Sequence, residues 1–240
     1  MSYTGLLFVP HLFSYSYYNF IKSCSIRIVT ANFHLQRNRA LSSLKSYTYA
    51  MELVTHEDKT FERIIYAEKV VKGREFQSCI FNNCDFSNSD FSYNKFLDCT
   101  FKGCNLSLMK LHGTTLNNTA FKNCKILGIN FSECDDSLFS VRFESCVLNY
   151  ASFMGKKMAK TQFIQTDLKE VSFVETNLVG SVFDHTDLAG AIFNNTNLTS
   201  ANLVTAFNYV IDPELNIIKK ASFSLQDLPG LLTRYKIKIV

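Results

Sequence analysis

From Phe76 to Phe131 every fifth residue is apolar, and from Phe143 to Leu203 the same spacing resumes in a phase displaced by two residues. The first series is Phe76, Phe81, Phe86, Phe91, Phe96, Phe101, Leu106, Leu111, Leu116, Phe121, Ile126 and Phe131. The second is Phe143, Leu148, Phe153, Met158, Phe163, Leu168, Phe173, Leu178, Phe183, Leu188, Phe193, Leu198 and Leu203. Of these 25 positions 23 are Phe or Leu, so chance does not account for the pattern. A strict period of five advances about 140° around an α-helix and leaves no apolar stripe, which excludes a helical reading. Two residues before each large residue stands a mostly small one: Cys79, Cys84, Ser89, Cys99 and Cys104 in the first series, Thr161, Thr166, Thr176, Ser181 and Thr186 in the second. Positions i and i−2 share a side of an extended chain. The large and small residues therefore point inward together, and the Asn, Asp, Ser, Lys and Gly between them face water.

A five-residue unit can bury its apolar pair only by stacking on other units, which is the logic of a solenoid. Each buried Phe or Leu contributes roughly 1.5–3 kcal/mol, enough to offset the ordering of a chain with little helix. The composition agrees: 47% hydrophobic and 19% charged residues, with only 9 Gly and 3 Pro, exclude a collagen, a linker or a disordered tail.

CDFSN at 84–88, CNLSL at 104–108, TDLKE at 166–170, TNLVG at 176–180, TDLAG at 186–190 and TNLTS at 196–200 resemble the pentapeptide-repeat family. Its motif is a small residue, Asn or Asp, Leu or Phe, then two variable polar residues. The resemblance covers about residues 74–205, with Phe61, Tyr66 and Val71 in the same phase. It implies an all-β fold, a right-handed quadrilateral β-helix with about 20 residues per coil. On that coil length Phe153, Phe173 and Phe193 form one column, Phe163 and Phe183 the opposite one, and Leu148, Leu168 and Leu188 a column between them. The expected organisation is an extension over 1–50, an N-terminal cap and first coil over 51–73, the β-helix over 74–205 and a C-terminal cap over 206–240. A phase slip near 132–138 interrupts the helix. Leu138 is assigned to the new phase, so the two extra residues fall around Cys134–Ser137, where Asp135 and Asp136 suit an outward turn. A tolerated insertion is preferred there over a functional loop.

Seven cysteines (Cys79, Cys84, Cys99, Cys104, Cys124, Cys134 and Cys146) occupy the small inward position and read as buried fillers rather than metal ligands. Cys84, Cys104 and Cys124 should stack one coil apart with parallel side chains, which is poor disulfide geometry. Unpaired thiols suit a reducing cytoplasm. No HExxH, GxSxG, Gly-rich phosphate loop or His–carboxylate cluster is present; His56, His112 and His185 are scattered, and His185 is placed on the surface. The Asn-x-Ser/Thr sequences arise from the repeat itself. The chain reads as no enzyme, with no catalytic, cofactor or metal residues.

The formal charge of +4 has an uneven origin. Residues 1–50 hold five basic residues (Lys22, Arg27, Arg37, Arg39 and Lys45) and no acid, whereas the remainder holds 20 basic and 21 acidic residues, a balance of −1. A signal peptide fits residues 1–50 poorly because the charges follow the apolar part. A membrane span over Tyr3–Ile21 is interrupted by Pro10, His11 and Asn19. A transit peptide fits the acid-poor composition better, and sequence foreign to the domain, with Met51 as the start, is preferred. Nucleic-acid binding by this basic segment depends on its being translated. No direct nucleic-acid or membrane binding is expected of the repeat.

After Leu203 the period fades. Asp212-Pro213 marks a turn, ASFSL at 221–225 resembles one last repeat, and Asp227 is placed to cap a short helix carrying Leu228, Leu231, Leu232 and Tyr235. Lys236–Val240 alternates like an edge strand. This tail resembles the C-terminal cap of the quinolone-resistance (Qnr-type) pentapeptide-repeat proteins. The resemblance implies a homodimer joined at its C-terminal ends, a rod that mimics DNA, and DNA gyrase or topoisomerase IV as partner, hence fluoroquinolone resistance. By carry-over Leu228, Leu231, Leu232, Tyr235, Ile237 and Ile239 are candidate cap and dimer residues; the alternative is that they only seal the last coil. The rod departs from that group in lacking long loops and in being nearly neutral, with 7 acids against 6 bases over 74–137 and 6 against 5 over 138–205. The best candidate acidic patch is Asp167, Glu170 and Asp187, with Lys169 opposing it. Outward Leu97, Leu108, Leu127, Val147, Ile164, Val174, Val179 and Ile192 are a second candidate surface. A general protein-interaction scaffold with an unrelated partner is the alternative function.

Overall fold

The structure, a computed structural model, describes residues 53–238. The expectations for residues 1–50, for Met51 as the start and for Ile239 fall outside them. The repeat winds into a four-sided β-helix with an all-parallel ladder. The first face is a four-stranded sheet of Val54–Glu57, Arg74–Gln77, Lys95–Leu97 and Thr115–Asn117. The second face carries nine parallel strands: Thr60–Glu62, Ile80–Asn82, Thr100–Lys102, Thr119–Lys122, Val141–Glu144, Gln162–Ile164, Val182–Asp184, Asn202–Leu203 and Ser222–Phe223. Isolated parallel bridges such as Asp85↔Asn105 on the third face and Asn130↔Ser152 on the fourth complete each coil.

The register places like on like. Phe61, Phe81, Phe101, Phe121, Phe143, Phe163 and Phe183 stack along the second face with ring centroids 4.7 to 5.5 Å apart. These distances match the roughly 4.8 Å spacing of paired strands, so ring stacking and backbone pairing reinforce each other. Across the interior Phe153 meets Phe163 edge to face at 6.1 Å, as the opposite columns require. The small inward position has a polar duty as well. Cys99 Sγ donates to Phe76 O (3.2 Å), Thr114 Oγ1 to Phe91 O (2.8 Å) and Thr196 Oγ1 to Phe173 O (2.7 Å). Cys, Ser and Thr thus share one role, a compact donor that satisfies a buried carbonyl of the preceding coil. The seven cysteines are buried free thiols, and burial pushes the Cys134 thiol up to about 12.

Each face ends at a corner, and in most coils the residue there takes a left-handed backbone. Twenty-four non-glycine residues and seven glycines have positive φ, and none of the 24 is Val, Ile or Thr. Crowding at Cβ makes this conformation costly for β-branched side chains. The corner N–H then donates to the next coil, as Ser78 does to Leu97 O (2.9 Å).

The phase slip differs from expectation in its detail. Old register persists through Asp135, whose N–H donates to Thr114 O, and the new one starts at Ser140, whose N–H donates to Leu116 O. Leu138 is not an inward residue: it is 73% exposed with φ 61°, and Phe139 fills the interior instead. The reason is a charge. Lys156 occupies an inward position that elsewhere holds mostly small, uncharged residues, and it is 2% exposed. Its Nζ donates to Cys134 O (2.6 Å) and pairs with Asp136 Oδ1 (2.5 Å), 5.2 Å above the Phe139 ring. Met109 is buried at the equivalent position of a regular coil, so length alone is accommodated; what the excursion of Asp136–Leu138 adds for Lys156 is a counter-charge.

The C-terminal cap also differs. Leu228–Leu231 and Thr233–Tyr235 are 3₁₀ turns, not an α-helix, and no strand follows Phe223 among the described residues. Asp227 makes no side-chain cap; its carboxylate accepts from Ser224 Oγ (2.8 Å). Pro229 and Gly230 disfavour a longer helix, and Ile211 N–H donates to Gly230 O, binding the turn to the last coil. A Cβ at Gly230 would stand 2.2 Å from Tyr209 O, so only glycine permits this approach.

Two stability outcomes follow from this packing. Asp136→Asn leaves the buried Lys156 ammonium without its counter-charge and should cost roughly 1–3 kcal/mol, read from urea unfolding; an unchanged midpoint would show that the pair contributes nothing. His56 lies buried and stacked on Phe76 at 5.0 Å. Burial, then the charges of Lys59 and Arg74, hold its pKa down to about 4 from 6.5. The folded state therefore binds fewer protons than the unfolded chain between these values, and stability should fall as pH drops from 6.5 toward 4. His56→Phe should flatten that part of the urea-midpoint profile.

Candidate functional site

An outward side chain on a β-helix can act only through the face that presents it, so the surface is best read face by face. The first face is split: its first five passes carry Glu57, Asp58, Glu75, Asp98, Asp135 and Asp136 against Arg74 and Lys95. Its later passes carry only lysines, among them Lys157, Lys160, Lys219 and Lys220. The third face is the most acidic, with Glu68, Asp85, Asp167, Glu170 and Asp187 against Lys125 and Lys169. No face forms a continuous acidic ladder. Much of the charge is also paired between coils, as Lys95–Glu75 (3.1 Å), Lys122–Glu144 (2.6 Å) and Lys72–Asp90 (3.1 Å) show.

The structure brings the expected acidic patch together on the third face, where Asp167 and Asp187 are bridged neighbours. Its members are unequal. Asp187 is 8% exposed and accepts from Asn208 Nδ2 (2.9 Å), Ala189 N–H (3.1 Å) and Lys169 (3.2 Å). Burial alone would raise its pKa, yet these donors together hold it below the usual carboxylate range. Lys169 is shifted upward, first by its bond to Asp187 and then by the charges of Asp167 and Asp187. Glu170, on its left-handed corner, is exposed, and Asp167 is half-buried. Asp135, at the end of the old register, and Asp136, on the excursion, are both exposed, Asp136 turned back to Lys156 and Asp135 accepting from Ser137 N–H (2.7 Å). His185 is exposed beside Asp184 at 2.8 Å.

At the C-terminal end Leu231 is buried and seals the last coil, and Leu232 is half-buried. Leu228, Tyr235 and Ile237 are exposed. Tyr235 is pinned by its hydroxyl to Glu214 Oε1 (2.9 Å), and Arg234 bridges Asp212 (2.9 Å) and Glu214 (3.0 Å). These contacts hold the cap rigid against the Asp212–Leu215 turn. Around it stand further exposed apolar side chains, including Leu215, Ile217 and Leu225. Of the 18 exposed large apolar residues, nine fall between Val204 and Ile237, so this end is the largest concentration of uncovered apolar surface among the described residues. Of the other outward apolar residues, Leu108 and Ile192 are exposed, while Leu97, Leu127, Val147, Ile164, Val174 and Val179 are half-buried against neighbouring coils. No group of three or more His, Cys, Asp or Glu among the described residues is placed to hold a metal ion, and no helix among them is long and apolar enough to cross a membrane.

Comparison with known proteins identifies the repeat. The model of the pentapeptide repeat region matches residues 74–153, and that of pentapeptide repeats in eight copies matches residues 166–204. No curated protein sequence matches the chain. Among solved structures, a trypsin-treated variant of QnrB1, a plasmid-mediated fluoroquinolone resistance protein, aligns with a TM-score of 0.54 at 16% identity, covering 75% of this chain and 100% of that one. HetL, a pentapeptide repeat protein involved in heterocyst differentiation regulation in the cyanobacterium Nostoc sp. strain PCC 7120, aligns with a TM-score of 0.55 at 14% identity, covering 72% and 87%. Identities this low speak to the fold, which both share with this protein. The chain belongs to the pentapeptide-repeat family.

Proposed function

We propose that this protein is a non-enzymatic binding rod that docks its partners, a second copy of itself first, through its C-terminal end. The observation that carries this reading is the exposed apolar surface gathered around the cap, which Arg234 and Tyr235 tie to Asp212 and Glu214 of the last coil. In this reading residues 74–205 are the spacer and residues 206–240 the closing and docking segment. Two copies meeting end to end bury these residues together, a self-complementary contact of the kind that closes a two-fold dimer. The seven free buried thiols suit residence in a reducing cytoplasm.

The finer reading takes DNA gyrase or topoisomerase IV as the further partner and quinolone protection as the consequence. Its support is the resemblance of the tail and the fold shared with QnrB1. Mimicry of DNA asks for a ladder of phosphate-like charge, and here the third face, around Asp167 and Glu170, comes nearest to one. A general scaffold for an unrelated protein partner draws on the same docking end and needs no acidic ladder.

Light scattering should give the mass of a dimer, and Leu225→Asp with Ile237→Asp should reduce it to a monomer with the thermal midpoint little changed. A monomeric parent protein would remove the end-to-end contact. For the topoisomerase reading, purified gyrase is assayed for supercoiling with and without a fluoroquinolone. Protection or inhibition that weakens in Glu170→Lys is expected, and no effect together with no binding leaves the scaffold.

A further inference from the structure

The phase slip has a second side. On the corner between the first and second faces, the left-handed residues form a column of Asp58, Ser78, Asp98, Asn118, Lys160, Gly180, Ser200 and Lys220, one per coil. The coil between Asn118 and Lys160 contributes none. There Ser140 alone separates inward Phe139 from Val141, where two residues, Asn117 and Asn118, separate Leu116 from Thr119 one coil earlier. The insertion is thus three residues gained in the excursion and one lost at the corner. In this column Asp98 N–H donates to Asn117 O and Lys160 N–H to Val179 O, but Asn118 N–H has no such acceptor, because Ser140 O is taken by Thr119 N–H (3.0 Å).

The missing residue leaves a notch of about 180 Å³, and its lining is one-sided. Arg142 and Lys160 border it with Ser140, Gln162 and Asn118, and no carboxylate lines it. The Arg142 guanidinium is held at its rim by donating Nη1–H to Asn118 Oδ1 (2.7 Å). The nearest acids along this edge are engaged elsewhere: Glu144 with Lys122 (2.6 Å) and Asp98 with the Asn118 amide (2.7 Å).

We propose that this notch is an oxyanion site that takes a phosphate group. Its donors are a guanidinium, an ammonium, a hydroxyl and an unused backbone N–H, drawn from three successive coils. Arginine suits a phosphate through its planar fork and lysine through its point charge. The notch is smaller than the roughly 300–1,000 Å³ of pockets that enclose whole metabolites, so it grips the anionic group alone. A phosphate offers these four donors more oxygens, and more charge, than a carboxylate does.

The test is a titration of the full chain with inorganic phosphate, followed by amide NMR shifts at ionic strength held constant with sodium chloride. Saturable shifts of Asn118 and Ser140 at millimolar phosphate are expected, with acetate roughly tenfold weaker and Arg142→Gln with Lys160→Gln weaker by roughly the same factor. Glycerol phosphate binding as well as inorganic phosphate assigns the site to phosphomonoesters, and binding of the inorganic ion alone assigns it to free phosphate. One glycine inserted after Ser140 restores the corner residue, leaves both cations in place and should abolish binding. Absence of saturation, or unchanged binding in the doubly substituted protein with its thermal midpoint preserved, overturns the proposal.

Discussion

Each coil is held to the next by an inward side chain resting on its counterpart one coil away, and the rest of the structure depends on this contact. The rings of Phe61, Phe81, Phe101 and Phe121 stack because paired strands lie about as far apart as stacked rings do. The match lets backbone hydrogen bonds and aromatic packing reach their optima at one geometry. It also explains the corners. To return a ring to the same column the chain must turn four times per coil, and most of these turns are made by one left-handed residue, whose N–H as a rule joins the ladder.

Where an inward position breaks the rule, the consequences spread. Lys156 stands where a thiol or hydroxyl normally bonds the previous coil, and it performs the same task at longer reach by bonding Cys134 O. Its charge is met by Asp136, carried on the excursion, and the coil recovers its register by dropping a corner residue at Ser140. A buried ion pair, an exposed apolar tip at Leu138 and a cationic notch thus have one origin. A solenoid concentrates individuality in this way: a change in one coil is accommodated locally, while the coils on either side keep their stacking.

The surface follows from the same economy. Charges spaced one coil apart on a face sit close enough to pair, so Lys95–Glu75 and Lys169–Asp187 neutralise acids that composition alone counts as available. The docking character of the molecule accordingly lies less in the flanks than at the end, where stacking stops. There Leu231 covers the last coil, and the apolar residues around it have no further coil to cover them.

The five-residue period was sufficient to specify a solenoid and the burial of its large and small residues, all seven inward cysteines among them, because in a repeat each position is read many times; the four-sided parallel coil and its columns came with the resemblance to the pentapeptide-repeat family. The left-handed corners were not legible, because the period of large residues does not point to them. Lys156 holds an inward place two residues before Met158, which the pattern of small residues at that position passed over. What its charge would pair with could not be read, since Asp136 lies a full coil away and the excursion that delivers it leaves only a two-residue change in spacing. For the same reason Leu138 was misplaced and the lost corner residue hidden, as a gain of three and a loss of one look alike to a gain of two. The cap was misjudged because amphipathic spacing ignores the contact of Gly230 with Tyr209. The sequence by itself determined the repeat, its coil and its interior, through short-range spacing that stacking converts into structure. Only the tertiary structure decided which charges remain free, where the register is regained and what the end exposes, because those depend on contacts between coils that spacing along the chain does not encode.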